Sequence, residues 1–438
     1  MTVKPAFRRR AAGFIAVCSL ATLSGAQEYT SYQRDQAQTM LHEIASDVRK
    51  HYYDPQFHGI DWDAKVRDMK DAIARADSMN MALAHIAAAL DSLDDSHTFF
   101  LPPSRPYLHD YGFHMQMIGD RCYVIRVRPG SDAEAKGLKP GDEILAVNGH
   151  ATTRDEFWKF DYIYKILRPQ ASLRLTLRGA SDGERRADVM AKFRQLPRIQ
   201  DVTGRGIFDI IREMENEAHS MRVRYAEKGD DLLIVKLPQF LFSSSEVDTV
   251  LGKMRKHKGV VFDLRGNPGG SEETLQFLLG GVFEKDVKIG DRMGRGWTKP
   301  LEAKSRHKPY TGKLVVLVDS KSGSASELFA RVIQIEKRGA IVGDHSSGSV
   351  MEAQHYSHQI GTETVVFYGA SVTEADFKMT DGQSLEHKGV NPDTLILPTA
   401  SDLAAGRDPV ITQAAEMLGV KITPEEAGTF FPYEWPKE

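Results

Sequence analysis

Lys313 to Gln334, KLVVLVDSKSGSASELFARVIQ, reads as a buried strand, a turn of small residues and a helix. Leu314 to Val318 is a continuous apolar run rich in β-branched residues, the pattern of a strand covered on both faces. Ser322 to Ser326 carries little bulk and allows a sharp corner, and Leu328, Phe329, Val332 and Ile333 continue with helical spacing. A serine at such a corner, here Ser324, can be aimed into a cleft beside the free amides of the helix start. An exposed hydroxyl next to oxyanion donors is what acyl transfer requires. A local reading competes, because Ser324-x-x-Glu327 also has the form of a capping box.

Strands alternate with helices from Asp231 to about Pro398. Leu232–Val235, Val260–Leu264, Leu314–Val318 and Ala340–Val342 are short apolar strands, with helices near 247–254, 272–279 and 326–334. This alternation predicts an α/β layer with a mixed, largely parallel sheet. A second glycine-rich corner, Asp263-Leu264-Arg265-Gly266-Asn267-Pro268-Gly269-Gly270, follows one of these strands. It lacks the Gly-Lys-Ser/Thr ending of a phosphate loop and does not fit the dinucleotide fingerprint. An oxyanion hole is the alternative use of its amides.

Upstream, residues 27–104 read as a helical segment. It ends at Asp95-Ser96-His97-Thr98, a polar group where a buried helix gives way to an apolar extended stretch. On its own, His97 is most simply a helix-end histidine. Residues 105–184 form a compact β-rich unit with helices, containing GLKPGDEILAVNG (Gly137 to Gly149), and residues 185–224 a charged connector with one helix near Phe208 and Ile211. The α/β region takes residues 225–400, and residues 401–438 a closing helix and an aromatic tail. The chain is therefore read as an α/β multidomain protein.

With 57 Lys and Arg against 60 Asp and Glu, no basic excess points to nucleic acid. Residues 1–26 have a charged start (Lys4, Arg8, Arg9, Arg10), an apolar run from Ala11 to Leu23, and small residues Ser24-Gly25-Ala26 before Gln27. That is the form of a cleaved export signal. The expected location is periplasmic or extracellular, with no integral membrane span after leader removal. Bulky Val17 disfavours Cys18 as a lipid-anchoring cysteine. Cys122 is then alone in the mature chain, which excludes an internal disulfide and a four-cysteine zinc site. His345, His355 and His358 lack metal-site spacing, and neither a metal nor a cofactor is expected.

GLKPGDEILAVNG resembles the signature of PDZ domains. That resemblance implies a unit that binds an extended chain end at a sheet edge, with Gly112 and Phe113 where the carboxylate-holding loop falls. VVFDLRGNPGG, VLVDSKSGSASELFA and GQSLEHKGVNPD together resemble the serine peptidases of the C-terminal-processing (tail-specific) and tricorn group. The order of parts is also similar. The resemblance implies Ser324 as nucleophile, with the amides of Ala325 and of Gly269 or Gly270 as oxyanion hole. One branch of the group uses a Ser–Lys dyad, and here Ser349 stands where its lysine should be. The tricorn branch uses a histidine preceded by a serine, and a glutamate before a Gly-Val-x-Pro-Asp turn. Ser96-His97 and Glu386, before Gly389-Val390-Asn391-Pro392-Asp393, match that pattern. The expectation is an exported serine endopeptidase acting on proteins or peptides, with His97 as general base. The alternative on the same scaffold is a non-catalytic PDZ adaptor or a carrier of an apolar ligand.

Overall fold

The computed structural model describes residues 29–105, 107–179, 183–195, 222–361 and 365–435. The leader and the helix expected near Phe208 and Ile211 lie outside these residues. Strands Arg224–Lys228, Leu232–Lys236, Gly259–Asp263, Lys313–Val318, Ala340–Gly343 and Thr394–Leu395 are neighbours in that order. The first pair is antiparallel and the others are parallel. Alternate residues of the central strands face two different layers. Leu233, Val260, Phe262 and Val316 pack with helices Ser244–Met254, Glu272–Gly280 and Ala325–Ile335. Ile234, Val261, Val315 and Leu317 pack under helix Pro409–Met417. Burial on both faces is why these strands read as unbroken apolar runs.

A second core sheet was not expected from the sequence. Its five strands, Phe99–Leu101, Val287–Gly294, Trp297–Ala303, Met351–Ile360 and Val366–Met379, are antiparallel. The long strand Val366–Met379 hides its alternation because Tyr368 through Thr373 are all buried. Tyr368, Ala370 and Val372 pack against helices Ser31–His51 and Met79–Asp91, and Phe377 and Met379 join the α/β core. Phe99–Leu101 pairs with the middle of this strand, Phe99 opposite Ser371. The N-terminal helices thus deliver the chain just after His97 into the core by sheet pairing.

The compact unit has its own sheet, in the order Phe113–Ile118, Arg121–Val127, Glu143–Val147, Ser172–Arg178 and Glu184–Met190, with His150–Ala151 on Glu143–Val147. The sheet continues beyond residue 184. Lys192–Gln195 then pairs with Tyr107–Asp110, so the entry and exit of the unit are tied together. Helix Phe157–Asp161 runs on to Leu167 and covers this core with Phe157, Phe160 and Tyr164. Cys122 is buried and free. The outer strand Phe113–Ile118 rests on the α/β core: Gln116 Nε2 donates to Asp319 Oδ2 at 2.7 Å and Ser320 Oγ to the Met117 carbonyl at 2.5 Å. Among the described residues, no helix is long and apolar enough to cross a membrane.

Candidate active site

Strand Lys313–Val318 ends in a turn whose last residue, Ser324, immediately precedes helix Ala325–Ile335. Ser324 has φ 51° and ψ −118°. For a residue with a side chain this backbone costs about 1–3 kcal/mol and persists only where its surroundings enforce it. They do so here. Ser324 N–H donates to the Ser349 carbonyl at 2.8 Å and to Glu327 Oε2 at 3.1 Å. Gly323 N–H and Ser326 Oγ donate to the Asn267 carbonyl at 3.0 and 2.9 Å. The Glu327 N–H donates to the Ser324 carbonyl at 2.9 Å, and the Glu327 carboxylate reaches back to the Ser324 N–H as in a capping box. A serine oxygen that accepts at the helix start still keeps its own proton, so a capping geometry does not remove the hydroxyl proton that a base would take.

The glycine-rich corner lies directly against this turn. A Cβ at Gly269 would sit 2.7 Å from Ser324 Cβ and 2.9 Å from the Ala325 nitrogen, so only glycine leaves room there. The Gly269 N–H is already taken, donating to Asn267 Oδ1 at 2.9 Å, while Asn267 Nδ2 donates to the Leu237 carbonyl at 2.8 Å. Among the described residues, the N–H groups of Gly270 and Ala325 have no hydrogen-bond acceptor. Of the alternatives weighed from the sequence, Gly270 with Ala325 is therefore the pair with donors to spare.

Ser96, His97 and Glu386 come together. Glu386 accepts Ser96 N–H at 2.7 Å, Ser96 Oγ–H at 2.9 Å and Val350 N–H at 2.8 Å. Ser96 Oγ is 2.7 Å from His97 Nδ1. The serine hydroxyl has one proton and gives it to the carboxylate, so Nδ1 must be the protonated nitrogen that donates to Ser96. Nε2 is left with its lone pair, the form a general base needs. Asp95 Oδ1 holds the backbone beneath, accepting His97 N–H at 3.0 Å, Thr98 N–H at 2.7 Å and Thr373 Oγ–H at 2.7 Å. No hydrogen bond joins His97 to the Ser324 hydroxyl. The two groups are linked through one segment: Ser349 carbonyl accepts from Ser324, and the next N–H, Val350, donates to Glu386.

Glu327 ties that segment to the Ser324 turn. Besides Ser324 N–H it accepts Ser349 N–H at 2.9 Å, Gly348 N–H at 2.8 Å and Ser346 Oγ–H at 2.5 Å. It is fully buried, and burial pushes its pKa up to about 7 against the opposing pull of these donors. In the sequence Glu327 has only the form of a cap, and Asn267 has no distinguishing pattern. Neither has a local signal, because their partners lie in other loops.

Burial also pushes the His97 pKa down to about 4, outweighing the upward pull of Asp95. A base must be neutral, so lowering its pKa extends the working range toward acid. The acid limb of the Ser324 acylation rate is expected near pH 4, not near the ordinary imidazole value of about 6.5. Probe-acylation rates between pH 3.5 and 8 on folded protein check this, and a limb centred on 6.5 contradicts it.

The other site residues are placed as follows. Gly112 N–H donates to Asp110 Oδ1 at 2.8 Å, and Phe113 begins the outer strand of the compact unit opposite Val127. His358 bonds Asp47 at 2.6 Å, His355 lies edge-on to Phe99, and His345 Nδ1 is 2.5 Å from Asn391 Oδ1. Arg265 links Asp263 to Asp408, at 2.8 Å to each, anchoring the glycine-rich corner to helix Pro409–Met417.

Residues 231–396 match the model of peptidase family S41, residues 104–155 that of the PDZ domain, and residues 33–69 that of the tricorn protease C1 domain. The chain carries a family S41 peptidase domain and a PDZ domain. The S41 domain contains both glycine-rich corners and Glu386. Among curated relatives, the tail-specific protease of Haemophilus influenzae is 27% identical over 322 residues, covering 68% of this chain and 43% of that protein. The carboxy-terminal processing protease CtpA of Bacillus subtilis is 21% identical over 339 residues, covering 74% and 65%. The chain thus spans about two fifths to two thirds of the length of these relatives. The solved structure of mature CPAF shares the fold, with a TM-score of 0.64, 14% identity, and coverage of 89% of this chain and 96% of that one.

Proposed function

We propose that this chain is an exported serine endopeptidase that hydrolyses peptide bonds of proteins or peptides through an acyl-enzyme on Ser324. His97 Nε2 takes the Ser324 proton as the hydroxyl attacks the carbonyl, and returns it to the leaving amine. Ser96 and Glu386 hold the imidazole in the tautomer that exposes Nε2 and stabilise its transient positive charge. The N–H groups of Gly270 and Ala325 receive the developing oxyanion, aided by the helix start. The observation that carries this reading is the relay Nδ1–H to Ser96 to Glu386, connected through Val350 and Ser349 to a strained Ser324. A Ser–Lys dyad lacks its lysine, since Ser349 occupies that position. Lys321 is turned toward Asp161 and Phe157 of the PDZ domain, and Lys236 is bound to Asp263. The PDZ domain recruits the substrate.

A fluorophosphonate probe tests the proposal. It is expected to modify Ser324, located by peptide mass spectrometry, and to leave folded Ser324→Ala protein unmodified. A folded wild-type chain that resists the probe favours the adaptor or carrier role on this scaffold.

A further inference from the structure

The outer strand Phe113–Ile118 of the PDZ domain is covered by the chain itself at both ends. Toward Met117 it meets Asp319 and Ser320 of the core. Toward His114 it meets Tyr433 and Trp435, from the segment after helix Pro424–Ala427. Tyr433 OH is 3.0 Å from His114 Nε2, and the Trp435 ring stacks on His114 with centroids 4.8 Å apart and planes inclined at 25°. Arg126, which faces His114 across the strand pair, lies 4.3 Å over the Tyr433 ring, and Arg128 lies 4.7 Å over Trp435. On the core side Arg224 donates to the Pro432 carbonyl at 3.0 Å and covers Phe431 at 5.4 Å. Residues two apart on an extended segment project to the same side. Tyr433 and Trp435 use that spacing to meet one cationic face, while Glu434 between them is exposed. Guanidinium groups over aromatic faces recognise ring electrons and not a particular sequence, so another segment with the same spacing can take the same seats.

We propose that His114, Arg126 and Arg128 form the docking face of the PDZ domain for extended substrate segments carrying two aromatic residues two positions apart, and that Tyr433-Glu434-Trp435 is a built-in occupant such substrates displace. The face adjoins Gly112 and Phe113, and it is the part of the outer strand not held by Asp319 and Ser320. The role of the face in recruiting substrate rests on the peptidase reading above, whereas its occupancy by Tyr433 and Trp435 does not.

The test uses full-length Ser324→Ala protein, which cannot turn over a bound peptide, and a fluorescein-labelled peptide TFFPYEWPKE, the sequence of Thr429 to Glu438. Fluorescence anisotropy is expected to show binding at least tenfold tighter when Tyr433→Ala and Trp435→Ala are added, because the resident occupant is removed. Adding Arg126→Met, which keeps the apolar stem, is expected to reverse that gain. A peptide with both aromatics replaced by alanine is expected not to bind. Thermal melting identifies any variant that has lost its fold, and Arg128→Met then serves in place of Arg126→Met. The proposal is overturned if the peptide binds both proteins equally, if it binds neither, or if the alanine peptide binds as well. Probe modification of Ser324 is measured separately on protein with its serine intact. Failure there with peptide binding preserved removes the peptidase reading and leaves the docking face standing.

Discussion

His97→Ala is expected to lower the turnover of a peptide substrate by about 10⁴-fold, the upper range for loss of a general base. Adding Ser324→Ala to it should cost little more, because residues that act as a unit lose activity non-additively. The reason is visible in the proton path. The Nδ1–H of His97 is committed to Ser96, which is committed to Glu386, so Nε2 is the nitrogen left to accept a proton. Without it, the Ser324 hydroxyl at neutral pH is a weak nucleophile, and among the described residues Lys321 and Lys236 are engaged with Asp161 and Asp263. Binding of the substrate should change little, since the imidazole acts on the hydroxyl and not on the substrate chain. Steady-state hydrolysis and probe acylation of folded single and double variants measure this. Near-wild-type rates for His97→Ala, or costs that simply multiply in the double variant, contradict the assignment.

Glu327→Ala has the second-largest expected effect, through position and not through contact with substrate. Removing the carboxylate strips acceptors from Ser349 N–H, Gly348 N–H and Ser346 Oγ–H, all inside the protein. Each buried donor left without a partner costs about 1–3 kcal/mol. The segment that loosens is the one joining Ser324 to Glu386, so the hydroxyl and the imidazole lose their common reference. A misplacement of about 1 Å at such a site costs about 100-fold in rate, and that loss is expected in kcat with KM nearly unchanged. Glu327→Gln should recover most of it. Its carbonyl oxygen can take the place of Oε2 toward Ser324 and Ser349, while its amide can donate to Ser346 Oγ, so that only Gly348 N–H and the Ser346 hydroxyl proton lose their acceptor. Kinetics of the two variants beside their thermal stabilities separate this role from general destabilisation. Equal losses in the alanine and glutamine variants contradict it.

The legible parts of this chain were those whose physics is local. Strand, small-residue turn and helix around Ser324 could be read because apolar runs and glycine or serine corners follow from neighbours in sequence. The same holds for the PDZ signature and for the strands buried on both faces. The antiparallel sheet was missed because Val366–Met379 is covered on both sides by elements far away in sequence, which erases the alternation that marks an exposed face. At His97 the residues alone favoured a helix-end histidine, and only the resemblance to the tricorn group reversed that. Its tautomer could not be read at all, since it depends on a glutamate 290 positions from Ser96.

By itself, then, the sequence determined the strand–turn–helix that presents Ser324, the glycine corner beside it and the order of the domains, all consequences of short-range sterics and hydrophobic periodicity. Tertiary structure decided what those pieces meet. Pairing of Phe99–Leu101 with Val366–Met379 carries Ser96 and His97 to Glu386. The buried Glu327 binds the loop between them to the Ser324 turn, and Asn267 occupies Gly269 so that, among the described residues, Gly270 is the donor left free. The aromatic pair Tyr433 and Trp435 reaches a PDZ face more than three hundred positions away. These are long-range contacts between polar or aromatic groups, and a linear pattern carries no record of which distant partner satisfies each one.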